Sequence, residues 1–366
     1  MLRKFSVKGF RGFKDELTFD LTKARDYGFN RHLIHNGLVS SGVIYGINGS
    51  GKSSLGFALF DIVGVLTDYQ LAAPMLDKMS YINADTDKGI SSFSYEFYLD
   101  GDVIVYSYEK TAPDEIVKEE LLVNGKEILQ RVKENVVYSE KPNLTFPKMF
   151  SALSALRYIY RNTQLDDKNA IAKTIKFVEK MLWFRSLRER GYCGYTIGGD
   201  KIVEKLYEKN AIQEFEEFLL EVANIKMKLE VINMDTTDSK ELYIKYPKGT
   251  VRFFNAASTG TNELLLLFYW SKIAFNDLKF LFIDEFDAFY HFELSEKIVK
   301  MISENSHMQS FFTSHNTYLA NNNTMRPDCF FIISNGEIKC FADATDRELR
   351  EGHNLEKLFR SGEFGV

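Results

Sequence analysis

The octapeptide GINGSGKS, residues 46–53, fits the pattern G-x-x-x-x-G-K-[ST] at every fixed position. Glycines at 46, 49 and 51 let backbone N–H groups wrap the α- and β-phosphates of a nucleotide at the start of a helix, where the helix dipole also favours anions. Lys52 would reach the β- and γ-phosphates and Ser53 would ligate Mg²⁺. Asn48, Gly49, Ser50, Gly51, Lys52, Ser53 and Ser54 therefore form the expected binding loop. Such a loop works together with a second, acidic site. The run LFIDE, residues 281–285, ends an apolar stretch in two carboxylates. Asp284 would hold the cation through its water shell, and Glu285 would polarise the attacking water as general base.

Three further strings are weaker taken singly, and their order is informative. NAASTGT, residues 255–261, lies one predicted helix before the acidic strand. Its Ser258 and Gly260 can present a hydroxyl and N–H groups to a γ-phosphate, although the string alone is also an ordinary helix cap. Asp287, in EFDAF, reads by itself as a solvated charge at a helix start. QSFFTSH, residues 309–315, ends an apolar strand in His315, at the edge of the predicted parallel sheet where ligands of open α/β sheets bind.

The elements that must position these residues follow from periodicity. Leu2 to Leu21 alternates apolar and polar residues twice around a Gly9 to Gly12 turn, which predicts two short strands. Gly42 to Tyr45 is a short strand leading into the loop, and Ser53 to Asp68 carries apolar residues at helical spacing. Ser92 to Ile128 predicts an antiparallel meander, with Asp100-Gly101 and Asn124-Gly125 as its turns. Between Pro147 and Ala223 the spacing is helical, clearest over Lys168 to Leu187 and Lys201 to Val222, with a glycine-rich break at Gly191 to Gly199. A hairpin turning at Pro247 to Gly249 follows. Helix Asn262 to Phe275, strand Lys279 to Ile283, helix Glu293 to Glu304 and strand Gln309 to Thr313 then alternate, as a parallel sheet wound with helices requires. A hairpin at Asn335-Gly336 and a helix around Asn354 to Arg360 close the chain.

Composition restricts the classes. The 366 residues are 45% hydrophobic and 27% charged, and 31 Phe and 19 Tyr supply an aromatic core. A formal charge of −5 is not the basic surface of a protein that coats nucleic acid. No apolar run approaches the ~20 residues that span a bilayer, and the start, MLRKFSVKGF, lacks the apolar region of a secretion signal. Cys193, Cys329 and Cys340 lack metal-ligand spacing and read as apolar fillers in a reducing compartment. A cytoplasmic protein without membrane partners is expected.

The order GINGSGKS, NAASTGT, LFIDEFDAF, FFTSH resembles the ATP-binding-cassette ATPase core, with Walker A, signature, Walker B, D-loop and switch histidine. Within that class the chain is similar to SMC-like and OLD-like ATPases rather than to transporter subunits. FSVKGFRGF resembles their opening strand and F-[RK]-[SG]-F element, and NLEKLFRSGEFG resembles the close of ATPases from bacterial phage-defence operons of the AriA, AbiLi and PtuA type. The resemblance implies an α/β P-loop NTPase of ABC type, with a mixed or parallel sheet, an antiparallel β-subdomain and a short helical insertion. The expected division is an N-terminal lobe over 1–146, the insertion over 147–225 and a C-terminal lobe over 226–366.

By the same resemblance, Arg11 would touch the nucleotide phosphates or base, His315 would sense the γ-phosphate, and Ser258 and Gly260 would contact ATP across a dimer interface, with Asp287 in the D-loop. Catalysis would fall to Glu285, His315 and Lys52, metal binding to Ser53 and Asp284, with ATP and Mg²⁺ as cofactors. The signature reads STGT and not SGGQ, and Gln70 and Gln130 are both candidates for the Q-loop. A homodimer or higher homo-oligomer is implied. Since little chain follows NLEKLFRSGEFG, the effector it controls in anti-phage defence, a nuclease or toxin, is expected to be a separate polypeptide. The alternative is an SMC-like ATPase of DNA repair or recombination, gripping DNA through clusters such as Arg185, Arg188 and Arg190, or Arg157 and Arg161.

Overall fold

The computed structural model describes residues 1–69, 77–87, 89–141, 144–146, 151–185, 191–194, 202–234, 239–273, 277–305 and 307–365. Alternation decides the first elements. Phe5 and Val7 of β1 (Leu2–Lys8) and Leu17 and Phe19 of β2 (Leu17–Asp20) are buried while the residues between them are partly exposed, and the two strands pair antiparallel. A small hairpin, β3 (Ile34–His35) and β4 (Leu38–Val39), precedes β5 (Ser41–Tyr45), which is buried throughout and runs into the glycine loop. The helix expected from Ser53 to Asp68 forms as two pieces, α1 (Lys52–Leu59) and α2 (Asp61–Leu66). Phe60 leaves helical geometry between them at φ −97°, ψ 2°. Asp61 is then held by Tyr81, at the end of α3 (Lys78–Tyr81), and by two residues of the sheet described next.

The expected meander is present as β6 (Ser91–Leu99), β7 (Asp102–Ala112), β8 (Glu115–Val123), β9 (Lys126–Val132) and β10 (Asn135–Tyr138), and it continues through β1 and β2 into a seven-stranded antiparallel sheet ordered β10-β9-β8-β7-β6-β1-β2. Both expected turns adopt the left-handed conformation that two-residue hairpins need: φ is 50° at Asp100 and 92° at Gly101, and 50° at Asn124 and 80° at Gly125.

The next stretch departs from expectation. After α4 (Ala155–Asn162), the run read as a helix from Lys168 to Leu187 is helical only over α5 (Ala170–Val178) and becomes a strand, β11 (Met181–Arg185), followed by β12 (Gly191–Gly194). A short run that is apolar at every position suits a strand covered on both faces, and periodicity alone does not separate it from a buried helix. Then follow α6 (Ile202–Glu208), α7 (Ile212–Ala223), β13 (Leu229–Met234), β14 (Ser239–Tyr246), β15 (Gly249–Arg252), α8 (Phe253–Ala256), α9 (Thr259–Ile273), β16 (Phe280–Asp284), α10 (Phe292–Ser303), β17 (Gln309–Thr313), β18 (Phe330–Ser334), β19 (Glu337–Cys340) and α11 (Leu355–Arg360).

The described residues form two compact units, 1–195 with 278–286 and 306–366, and 196–277 with 287–305. This grouping places 147–195 with the first unit and so differs from the division expected at 147 and 226. The first unit holds the antiparallel sheet and a second seven-stranded sheet, ordered β12-β11-β16-β17-β5-β18-β19, whose five central strands are parallel. Phe19 of β2 packs edge-on against Phe311 and Phe331, with centroids 5.1 and 5.0 Å away, so the two sheets share one core. Buried Gln309 adds a polar link: its Nε2 donates to the carbonyls of Leu2 (2.9 Å) and Val39 (3.1 Å), and its Oε1 accepts from Leu2 N (2.6 Å). The second unit packs α7 and α9 through Phe215, Phe218 and Phe268, beside the three-stranded sheet β13-β14-β15. Among the described residues no helix is long and apolar enough to cross a membrane. Gln70, Arg188 and Arg190 lie outside the described residues, as does the side chain of Cys193; Cys329 and Cys340 are buried free thiols.

Candidate active site

The five parallel strands end at one edge, and their register decides what meets there. Arg185 is aligned with Asp284, Ile283 with Phe312, and Thr313 with Ile44. The end of β16, the end of β17 and the start of the glycine loop after β5 are therefore neighbours in the order in which the sheet lays them out. This is the edge where open α/β sheets bind ligands.

In the loop, Gly49 (φ 80°) and Gly51 (φ 110°) are left-handed, a conformation costly to residues with a Cβ. A Cβ on Gly51 would also stand 2.8 Å from Phe13 Cε1, so the loop is closed from outside by the FRGF turn. Lys52 Nζ donates to the carbonyls of Gly46 (2.7 Å) and Ile47 (3.2 Å), folding the ammonium back over the loop. Burial lowers the pKa of Lys52, opposed by the charges of Asp284 and Glu285. Ser50 Oγ is buried without a hydrogen-bond partner among the described residues, and an orphan of this kind calls for a ligand. Asn48, Gly49 and Ser53 face solvent. Glycine-permitted N–H groups, a lysine and an orphan hydroxyl at a helix start fit a polyphosphate.

Asp284 and Glu285 are organised by a residue that sequence reasoning missed. Thr313 Oγ1 donates to Asp284 Oδ1 (2.6 Å) and accepts from Glu285 N (2.7 Å). Asp284 is buried, whereas Glu285 has φ 52°, a left-handed backbone unusual for a glutamate, which turns the chain off the strand and leaves its side chain partly exposed. The signal for Thr313 was its place at the polar end of QSFFTSH, two residues before the histidine. Thr313→Val should lower ATP hydrolysis by about 10- to 100-fold, the usual effect of removing a partner that orients a metal-site carboxylate. Thr313→Ser should restore most of the loss in steady-state assays, and equal rates for wild type and Thr313→Val would refute the role.

Among the described residues no group of three or more His, Cys, Asp or Glu is placed to hold a metal. Ser53 and Asp284 are the residues that could hold a divalent cation there, with phosphate oxygens and water completing the shell that Mg²⁺ prefers. His315 is exposed two residues beyond β17, in a turn begun by Ser314, whose N donates to Ile44 O (3.2 Å) and whose Oγ accepts from Asn316 N (2.8 Å). It thus lies on the edge that carries Asp284 and the glycine loop. Arg11 (φ 48°) occupies a tight turn closed by reciprocal bonds between the backbones of Phe10 and Phe13 (3.0 and 2.8 Å), and its guanidinium lies 3.8 Å from the ring centroid of Phe57 in α1.

The second unit carries Ser258, Gly260 and Asp287. Ser258 Oγ accepts from Thr261 N (3.2 Å), so the serine caps the start of α9. A Cβ on Gly260 would stand 2.8 Å from Phe289 O, so the start of α9 meets the turn after Asp287 at a distance only glycine allows. Tyr290 N donates to Asp287 O (3.2 Å) and shapes that turn.

Other candidates are occupied elsewhere. Gln130 lies in β9 of the antiparallel sheet and donates to Glu127 (3.2 Å), away from the parallel edge. Arg157 and Arg161 both pair with Asp68. Arg185 is buried at the end of a strand and does not lie on a solvated helix face.

Residues 43–321 match the family described as "AAA domain, putative AbiEii toxin, Type IV TA system". No curated protein matches the chain. Among solved structures, the SmcHead bound to the C-winged helix domain of ScpA is 18% identical, with a TM-score of 0.51 over 92% of this chain and 96% of that one. The SMC head domain from Thermotoga maritima is 15% identical (TM-score 0.45, 93% and 98% covered). An Smc head domain with an extended coiled coil, bound to the C-terminal domain of ScpA derived from Pyrococcus furiosus, is 14% identical (TM-score 0.44, 92% and 95% covered). The first likeness is one of fold: an ABC-type α/β ATPase head with mixed parallel and antiparallel sheets.

Proposed function

The chain belongs to the AAA domain family of the AbiEii type, and on that basis we propose that it binds and hydrolyses ATP with Mg²⁺ as a nucleotide-switched dimer, which controls a separately encoded effector in abortive infection or toxin–antitoxin defence. The observation that carries this reading is the shared edge of Lys52, Asp284, Glu285 and Thr313, a P-loop paired with an oriented acidic site. Lys52 and the loop N–H groups bind the phosphates, Ser53 and Asp284 hold the cation, and Glu285 takes the proton of the attacking water. Bound Mg²⁺ would neutralise charge on the transferred phosphate.

The dimer reading is supported by apolar residues exposed on the elements that would meet a second copy. Ile47 in the glycine loop is 63% exposed, Phe254 just before NAASTGT 54%, and Phe292 just after the Asp287 turn 63%. Exposed apolar side chains at these positions are compatible with a partner surface. A head-to-tail dimer with two-fold symmetry would bring Ser258 and Gly260 of one copy to the nucleotide of the other.

Mixing tests the shared site. Lys52→Ala and Ser258→Arg chains should each be inactive alone. An equal mixture should regain about a quarter of wild-type ATPase activity, because half of the dimers are mixed and each mixed dimer keeps one intact site of two. Light scattering should show the wild-type mass doubling with a non-hydrolysable ATP analogue. A constant mass together with an inactive mixture would sink the composite site. Arg157 and Arg161 are already paired with Asp68, which weakens that pair as a grip for DNA.

A further inference from the structure

Arg185 is a cation that the site's own acids do not neutralise. It is the last residue of β11, a strand buried at all five positions, and parallel pairing aligns it with Asp284. Adjacent strands lie about 4.8 Å apart, so an ion pair between the two would be expected. Asp284 instead commits Oδ1 to Thr313, on β17 and thus on the side away from β11. Among the described residues Arg185 makes no ion pair, although it is only 7% exposed.

What holds Arg185 is aromatic. Its guanidinium carbon lies 5.1 Å from the centroid of Phe57 and 5.4 Å from that of Trp183. Gly56 makes this approach possible: a Cβ there would stand 2.8 Å from Trp183 Cζ2 and 3.1 Å from Phe282 Cε1, so α1 lies directly over β11 and β16. Arg11 rests on the same Phe57 ring at 3.8 Å. Two guanidiniums are therefore gathered on one side chain of the helix that begins at Lys52. A cation held away from water, as Arg185 is, calls for an anion beside it.

We infer that Arg185 binds the terminal phosphate of the bound nucleoside triphosphate. This rests on the ATP reading above and extends it, adding to Lys52 a second cation that approaches from the β11 side, next to the acid that holds the cation. The loop N–H groups serve the α- and β-phosphates, and Lys52 reaches the β- and γ-phosphates from the loop side. An arginine aligned with Asp284 is placed for the outermost one, where charge is redistributed as the phosphoryl group transfers. Binding of ATP over ADP is then read in part by Arg185.

The test is calorimetric titration of the intact chain with ATP and with ADP in Mg²⁺, beside steady-state hydrolysis. Arg185→Met should lose at least about tenfold in ATP affinity, since a charge-assisted bidentate contact is lost. ADP affinity should be unchanged, which also serves as the check of folding, and kcat should fall about 100-fold. Arg185→Lys, which keeps the charge without the planar fork, should recover part of the ATP affinity and little of kcat. If Arg185→Met does not fold, Arg185→Lys carries the test through a reduced ATP-to-ADP preference. An unchanged preference in a folded variant overturns the inference and leaves the ATPase reading standing, as does a variant that loses binding to DNA and not to ATP. A wild-type chain that binds neither nucleotide overturns both.

Discussion

Glu285→Gln should slow ATP hydrolysis by about 100- to 10,000-fold while leaving ATP binding intact, the range expected when a general base is removed and the binding loop is kept. The amide has nearly the shape of the carboxylate and does not accept the proton of the attacking water. Glu285 also owes its position to groups the change does not touch: its N donates to Thr313 Oγ1 at 2.7 Å, and its left-handed backbone at φ 52° is a property of the main chain. On the reading proposed above, binding rests on Lys52, Ser50 and the loop N–H groups. The variant should therefore accumulate the ATP-bound form, visible as a persistent higher mass in light scattering with ATP, where the wild type returns to its starting mass. Full hydrolysis by Glu285→Gln would move the base elsewhere, His315 being the remaining candidate on the same edge.

Asp61→Ala should destabilise the first unit by about 3–5 kcal/mol, the usual effect of removing one partner of a buried ion pair. Asp61 is 2% exposed at the start of α2, and its carboxylate accepts from Tyr81 OH (2.8 Å), Tyr108 OH (2.9 Å) and Lys110 Nζ (2.9 and 3.1 Å). Burial, reinforced by that carboxylate, holds both phenols far above their ordinary pKa, so they remain donors. Truncation leaves an ammonium, itself 2% exposed, and two hydroxyls unsatisfied in the interior. The effect should appear as a lower urea midpoint. Replacing Lys110 by Met in the same chain should recover part of the loss, because the uncompensated charge goes with it. A midpoint within about 0.5 kcal/mol of wild type, the range of a neutral surface change, would contradict the buried network. Since α2 directly follows the helix that starts at Lys52, the same substitution should also weaken nucleotide binding, whereas Glu285→Gln should not.

The sequence by itself determined whatever depends on neighbours along the chain. A glycine loop between a strand and a helix, two acids at the end of an apolar strand, and Asp-Gly and Asn-Gly turns each specify a local backbone conformation, and all are present where they were expected. Alternation gave β1, β2 and the meander for the same reason, because which face of a strand is buried is written every second residue. The antiparallel subdomain and the parallel sheet were legible from these signals and from the resemblance to ABC-type ATPases, and the fold has that form.

Tertiary structure alone decided what depends on register and burial. MLWFR continues an apolar helix into a run with no period of its own, so only its pairing with β16 makes it a strand and brings Arg185 level with Asp284. Thr313 differs from any other strand-end threonine only because β17 lies between β16 and β5, where its one hydroxyl reaches both Asp284 and the amide of Glu285. The break at Phe60 follows from a carboxylate bonded to residues 20, 47 and 49 positions away. Such contacts join segments distant in sequence, and the free energy that selects them arises only when the sheets close on a common core.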